Sequence, residues 1–200
     1  MTRIAILISG RGTNMEAICR HSMKGDIDAE IIMVCSDNCS APGLETASRM
    51  GYETIVIPYN SKKRSEAEKE LIEILVRNRI DWIVLAGFMK ILSPLFVSRF
   101  SGRIVNIHPS LLPSFPGSNS IEDAWSYGVR ITGVTIHIVD EKVDHGPILA
   151  QKSVHVMDDD SLEDLEKKIH EVEHELYWKT LQSLFQNKLR FFNRRQHNGT

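Results

Sequence analysis

Short apolar, β-branched runs alternate with amphipathic stretches from the first residues of the chain. RIAILI (3–8), EIIMVCS (30–36), ETIVI (53–57), WIVLA (82–86) and RIVNIH (103–108) have the length and composition of buried strands. Between them the apolar spacing changes to three and four. SEAEKELIEILVRN (65–78) and SPLFVSRF (93–100) read as helices, the second with Ser93 as cap and Pro94 at the first helical position. Alternation of this kind predicts an α/β, Rossmann-like fold: a mainly parallel twisted sheet with helices on both faces.

The pattern changes after residue 128. ITGVTIHIV (131–139) and PILAQKSVHV (147–156) are two long strands joined by the loop DEKVDHG, which predicts a mixed or antiparallel C-terminal extension of the sheet. A long helix follows DDDSLED, with Ser161 and Asp164 as a capping pair. Leu162, Leu165, Ile169, Val172 and Leu176 recur along it at steps of three and four and form the expected core stripe, while His170, Glu173 and Tyr177 share another face.

Two hundred residues is the length of one domain with a sizeable core, so residues 1–200 are expected to form a single domain. A net charge of -2 argues against a polyanion-binding surface. The tail KLRFFNRRQHNGT interleaves basic and aromatic residues, but a terminal strand and frayed end from about residue 188 is the expectation rather than a nucleic-acid contact. Cys19, Cys35 and Cys39 are odd in number, and the N-terminal apolar run is too short for a signal peptide, which predicts a reduced, cytoplasmic chain. No run approaches the length of a membrane span, so no membrane partner is expected.

Three segments carry candidate chemistry. SGRGTN (9–14) lies between the first strand and a helix, where glycines and a helix N-terminus present N–H groups to an anion. Met15 stands where a dinucleotide fingerprint requires glycine, and no Walker lysine follows, so a phosphate site and a plain tight turn both remain open. In NIHPSLLPSFPG (106–117), Asn106 and His108 leave the end of a strand on the same face, an amide donor beside an imidazole that suits an oxyanion and a proton. KVDHGP supplies Asp144 from a turn that returns toward the same sheet edge, and His137 points there from the preceding strand. A carboxylate near His108 favours its protonated form. His145 and His155 read as surface or structural. HEVEH (170–174) also spells the zinc-protease pattern through His170, Glu171 and His174. Val172 falls on the expected core stripe and His197 is the obvious downstream third ligand, so no metal is expected.

Taken in order, SGRGTN, LAGFMKILSP, NIHPSLLPSFPG, GVTIHIVDEKVDHGPILAQ and EVEHELY resemble the motifs of folate-dependent phosphoribosylglycinamide formyltransferases, from about residue 4 to about residue 187. The resemblance implies transfer of a formyl group from 10-formyltetrahydrofolate, as co-substrate, to the amine of phosphoribosylglycinamide in purine biosynthesis. It implies that Asn106, His108 and Asp144 are catalytic with His137 in support. Gly12, Thr13 and Asn14 would take the substrate phosphate, and Glu173 with His170 the ribose or glycinamide part. Met89, Ile91, Leu92 and Val143 would line the pterin pocket, with Arg64 near the folate tail. Asn119, His170 and Trp178 depart from the residues usual in the family, which bears on the shape of the substrate pocket and of the last helix.

The implied reaction is direct attack of a neutral amine on the formyl carbon. Asn106 and protonated His108 would stabilise a tetrahedral oxyanion, and Asp144, a water and His108 would relay protons. Neither a covalent enzyme intermediate nor a metal is needed. A formyltetrahydrofolate deformylase and a catalytically silent phosphosugar-binding protein are the alternative readings, and a monomer or homodimer is the expected assembly.

Overall fold

The computed structural model describes residues 1–59 and 61–189. Strand and helix alternate through β1 (Thr2–Ile8), α1 (Thr13–Met23), β2 (Ala29–Ser36), α2 (Pro42–Arg49), β3 (Glu53–Val56), α3 (Arg64–Arg77), β4 (Trp82–Leu85), α4 (Pro94–Arg99) and β5 (Ile104–His108). Then come α5 (Ser120–Tyr127), β6 (Ile131–Ile138), β7 (Ile148–His155) and the long α6 (Leu162–Phe185). All seven strands lie in one sheet of order β3-β2-β1-β4-β5-β6-β7. It is parallel from β3 to β5, and β6 runs antiparallel to both its neighbours. The α/β Rossmann-like sheet and its antiparallel extension therefore form as the patterning predicts, with strand ends within one residue of expectation.

The uninterrupted apolar strands are explained by burial on both faces. Ile4, Ile6 and Ile8 of β1 pack with Met15 and Ile18 of α1, Leu44 of α2 and Leu165 and Ile169 of α6. Ala5 and Leu7 face the other way, toward Leu71 and Leu75 of α3 and Phe96 and Val97 of α4. Ser93 caps α4 by accepting a hydrogen bond from Phe96 N at 3.2 Å. Ser161 and Asp164 form the expected capping box of α6, with Ser161 N donating to Asp164 Oδ2 at 2.9 Å and Asp164 N to Ser161 Oγ at 3.2 Å.

The face that α6 buries differs from the expected stripe. Leu165, Ile169, Glu173, Tyr177, Leu181 and Leu184 form its buried line, while Leu162, Val172 and Leu176 flank that line half-buried. Tyr177, placed off the core by its spacing, is fully buried. Its hydroxyl donates to the carbonyls of Leu85 and Val105, at 2.9 and 3.1 Å, pinning α6 to β4 and β5. The helix packs on α1, α5, β6 and β7 together, so the covered arc is wider than a leucine count suggests. Residues 190–200, which hold most of the expected terminal strand and frayed end, lie outside the described residues, and Lys188 and Leu189 are in no strand. No helix among the described residues is long and apolar enough to cross a membrane.

From β1 the chain moves outward to β2 and β3 on one side, then returns to β4 and β5 on the other. The carboxyl ends of β1 and β4 thus meet where the winding reverses, the position at which such sheets open a crevice.

Candidate active site

The loops after β1 and β4 are tied to each other across this crevice. Ser9 N donates to Gly87 O at 3.0 Å and Met89 N donates to Ser9 Oγ at 2.8 Å. Beyond them lies a cavity of about 470 Å³ whose lining includes Met89, Ile91, Leu92, Val139 and Val143 together with Asn106, His108, His137 and Asp144. Met89, Ile91 and Val143 are 66, 65 and 55% exposed, an amount of open apolar surface at one cleft that marks a ligand site.

The polar members converge. Asp144 Oδ2 is 3.5 Å from His108 Nδ1, and its Oδ1 is 3.7 Å from His137 Nε2. His108 and His137 are both buried. His137 Nδ1 lies 2.9 Å from its neighbour's carbonyl, Ile138 O, which only accepts, so Nδ1 carries the proton. Burial pushes the His137 imidazole below its ordinary value and keeps it neutral. Nε2 is then an acceptor and takes a hydrogen from Asn106 Nδ2 at 3.2 Å. His108 Nε2 donates to Phe115 O at 2.8 Å, so its Nδ1, facing Asp144, is the nitrogen free to exchange a proton.

Backbone geometry shows how these groups are held. Among the described residues, four other than glycine have positive φ. Arg79 and Asn187 directly follow the caps of α3 and α6, a common helix ending. Phe115 and Asp144, each at φ 50°, have no such excuse and both belong to the site. The loop carrying Phe115 is braced by Thr135, whose Oγ1 donates to Ser110 O at 2.7 Å and accepts from Leu112 N at 3.0 Å. Gln151 Nε2 adds a bond to Leu112 O at 3.0 Å, and Gly117 N donates to Asp144 Oδ2 at 2.8 Å, joining this loop to the Asp144 turn. Asp140, also in the cavity lining, meets His145 Nδ1 at 2.8 Å. Although burial pushes the Asp140 carboxyl up, hydrogen bonds from His145 and Lys142 N hold it below the usual range. His145, read from sequence as surface or structural, has a structural role as an anchor of the loop.

A second group adjoins the first on the α1 side. Helix α1 begins at Gly12, whose φ of 70° suits glycine, and has no side-chain cap, which leaves its first N–H groups for an anion. Asn14 Nδ2 donates to Glu173 Oε2 at 3.1 Å, and His170 Nδ1 lies 2.8 Å from the same oxygen. The hydrogen bond to Glu173 raises the His170 imidazole above its ordinary value. Asn14 Oδ1 is buried without a protein partner. Gly12, Thr13, Asn14, His170 and Glu173 are thus brought together, outside the lining of the apolar cavity. Glu173 is 4% exposed whereas Glu171 is on the exposed side of α6. Among the described residues no group of three or more His, Cys, Asp or Glu is placed to hold a metal, and His197 lies outside them.

Arg64 stands apart from the cavity lining. It is the first residue of α3, and its Nε donates to Glu68 Oε1 at 3.1 Å. Of the unusual residues, Trp178 stacks on His21 with centroids 4.1 Å apart, Asn119 is exposed at the start of α5, and His170 pairs with Glu173 as described. Sequence reasoning missed Thr135, Gln151, Glu68 and the Phe115 carbonyl. The positions 133, 135 and 137 on one face of β6 were the available signal, since that face also carries His137.

An amide, an imidazole and a carboxylate thus converge at the carboxyl edge of a mainly parallel sheet, beside an open apolar cleft, an arrangement able to donate to an oxyanion and move a proton. The formyl transferase family model matches residues 2–181, and the chain belongs to that family and is a formyltransferase. The phosphoribosylglycinamide formyltransferase of Bacillus subtilis is 35% identical over 92% of this chain and 95% of its own length. The trifunctional purine biosynthetic protein adenosine-3 of Gallus gallus is 42% identical over 90% of this chain, which spans 18% of that longer protein. The crystal structure of phosphoribosylglycinamide formyltransferase from Bacillus halodurans superposes with a TM-score of 0.89 at 41% identity, covering 94% of this chain and 97% of that one. Glycinamide ribonucleotide transformylase 1 from Symbiobacterium toebii gives a TM-score of 0.91 at 36% identity over 96% and 94%.

Proposed function

We propose that this formyltransferase moves the formyl group of 10-formyltetrahydrofolate to the amine of phosphoribosylglycinamide in purine biosynthesis, in the cytoplasm, as a monomer or homodimer. The observation that carries the reading is the placement of Asp144 within 3.5 Å of His108 Nδ1 and 3.7 Å of His137 Nε2, beside Asn106, in the wall of an apolar cavity.

A cavity of about 470 Å³ is of small-molecule size, and its Met89, Ile91, Leu92 and Val143 offer apolar surface suited to the flat ring of a folate. Bound there, the folate supplies the formyl carbon. Gly12, Thr13 and Asn14 at the start of α1 take the phosphate of the amine substrate, and Glu173 with His170 takes its ribose or glycinamide part. Asn106 has one N–H committed to His137 and directs its other toward the oxygen of the formyl group as negative charge gathers there. His108, carrying a proton on Nδ1, adds positive charge beside the same oxygen. Asp144 accepts the proton that the attacking amine loses, and His108 Nδ1 returns one to the leaving nitrogen. No metal has a step in this scheme.

The test is to mix the purified protein with 10-formyltetrahydrofolate and follow tetrahydrofolate. Release is expected only when phosphoribosylglycinamide is present, and at a rate unchanged by a strong chelator. Rapid release without the amine would make the protein a deformylase, and a rate lost to the chelator and restored by zinc would overturn the mechanism.

A further inference from the structure

Glu68 is 1% exposed, which for a carboxylate demands dedicated partners. It has four donor groups around it, supplied by three residues. Ser93 N donates to Oε1 at 3.1 Å and to Oε2 at 3.3 Å, and Ser93 Oγ donates to Oε2. Tyr59 Oη donates to Oε1 at 3.3 Å, and Arg64 Nε to the same oxygen at 3.1 Å. Arg64 is the cation of the group and is itself half exposed, so the buried charge is balanced from the solvent side. None of these four residues lines the cavity.

Ser93 closes the segment that does. Phe88, Met89, Lys90, Ile91 and Leu92 precede it directly and form one wall of the cavity. That segment has no regular secondary structure; Phe88 and Leu92 anchor it in the core, Lys90 reaches Asp37 at 3.7 Å, and hydrogen bonds hold its two ends. At the near end Met89 N is fixed to Ser9 Oγ. At the far end Ser93 is gripped through both N–H and hydroxyl by Glu68, and Ser93 Oγ also caps α4. The carboxylate, with two oxygens and a full charge, can accept all of these donors at once. A neutral amide of the same shape can accept on one side only and turns two N–H donors on groups that are donors themselves.

We propose that Glu68 is a positioning residue for the formyl donor: from outside the cavity it sets the wall formed by residues 88–92 and thereby the affinity for the folate. The inference rests on the reading of this cavity as the folate site. Glu68→Gln is expected to raise KM for 10-formyltetrahydrofolate about tenfold, the loss of one charge-assisted contact, while kcat and KM for phosphoribosylglycinamide stay within about twofold. A residue that only supported the fold would lower the melting temperature and leave the two KM values in proportion. Direct titration of tetrahydrofolate should show the same tenfold weakening in Kd. That measurement separates the two claims, because wild-type protein that binds tetrahydrofolate but does not transfer the formyl group defeats the functional reading and still tests Glu68. If Glu68→Gln does not fold, Ser93→Ala, which cuts the hydroxyl link and keeps the N–H, is expected to raise the folate Kd with the amine KM unchanged. An unchanged folate Kd in whichever variant folds, or a fall in kcat alone, overturns the proposal.

Discussion

Asn106 Nδ2 donates a hydrogen bond to His137 Nε2 at 3.2 Å, and the direction of that bond is set one step further away, by the carbonyl of Ile138 on the other ring nitrogen. Nε2 is therefore an acceptor for the amide although it lies 3.7 Å from Asp144, and in the proposed mechanism His137 orients Asn106 and exchanges no proton. Replacing His137 with Phe keeps a ring in the buried space but removes the acceptor, leaving Asn106 free to turn. The expected result is a fall in kcat of roughly tenfold with both KM values little changed, less than the roughly hundredfold loss typical of a directly acting donor. Steady-state kinetics check it, and a loss as large as that of Asn106→Ala would mean that His137 acts on the substrate itself.

Asp144 and His108 form the proposed proton path, and Asp144→Asn keeps the size and the acceptor for Gly117 N while abolishing the charge. We expect kcat to drop by roughly a hundredfold or more, with substrate binding retained. His108→Ala should cost a similar factor by removing the group that carries the charge beside the oxyanion. Near wild-type turnover in either variant would refute the assigned roles.

Gly146 has a requirement that its φ does not reveal. A Cβ at this position would lie 1.8 Å from Ile138 O, the same carbonyl that fixes the proton on His137 Nδ1. Gly146→Ala must push the β6 end and the Asp144 turn apart. The expected cost is about 1–3 kcal/mol of stability from overpacking, with a loss of kcat greater than that of His137→Phe because Asp144 moves too. Denaturant unfolding and kinetics on the same sample test both parts.

The strands and their order of appearance were legible because a parallel sheet buried on both faces writes continuous apolar runs, as in Ile4–Ile8. That Asn106, His108 and Asp144 converge at one sheet edge was legible because they stand at a strand end and in a turn of unusual composition. Tyr177 was not. Its hydroxyl is met by two carbonyls, Leu85 at the end of β4 and Val105 in β5, 92 and 72 residues away in sequence, and no spacing rule within α6 anticipates them. Helix α5 was also not drawn from the pattern, its buried residues being Ser120, Ile121 and Ala124, too few and too small to set a period. Glu68, and the partner that gives His145 its structural role, were not legible because Ser93 and Asp140 are identified as their partners only once loops are placed.

Two histidines should tilt stability with pH in opposite directions. The folded His137 has its imidazole lowered by burial from the ordinary 6.5. Protonation therefore favours the unfolded chain, and stability is lost as pH falls below 6.5 toward the folded value. His170 is raised above 6.5 by Glu173, so its contribution is complete below 6.5 and is lost as pH rises through the folded value. His170→Gln should accordingly destabilise more at about pH 5.5 than at about pH 8.5. Denaturation midpoints at the two values decide it, and an equal shift at both would remove the ion pair from the account.

The pair Glu171 and Glu173 separates two readings of HEVEH. A zinc hydrolase would use Glu171 to activate water, but that side chain is exposed, whereas Glu173 is buried and holds both Asn14 and His170 on one oxygen. Asn14 belongs to the loop proposed to take the phosphate, so Glu173 couples the two ends of the amine substrate's site. Glu173→Gln weakens this charge-assisted grip without touching the groups around the formyl carbon. It should raise KM for phosphoribosylglycinamide by about tenfold with a smaller effect on kcat, and leave KM for the formyl donor near its wild-type value. Glu171→Gln should be silent. An inactive Glu171 variant beside a normal Glu173 variant would reverse the assignment of this helix.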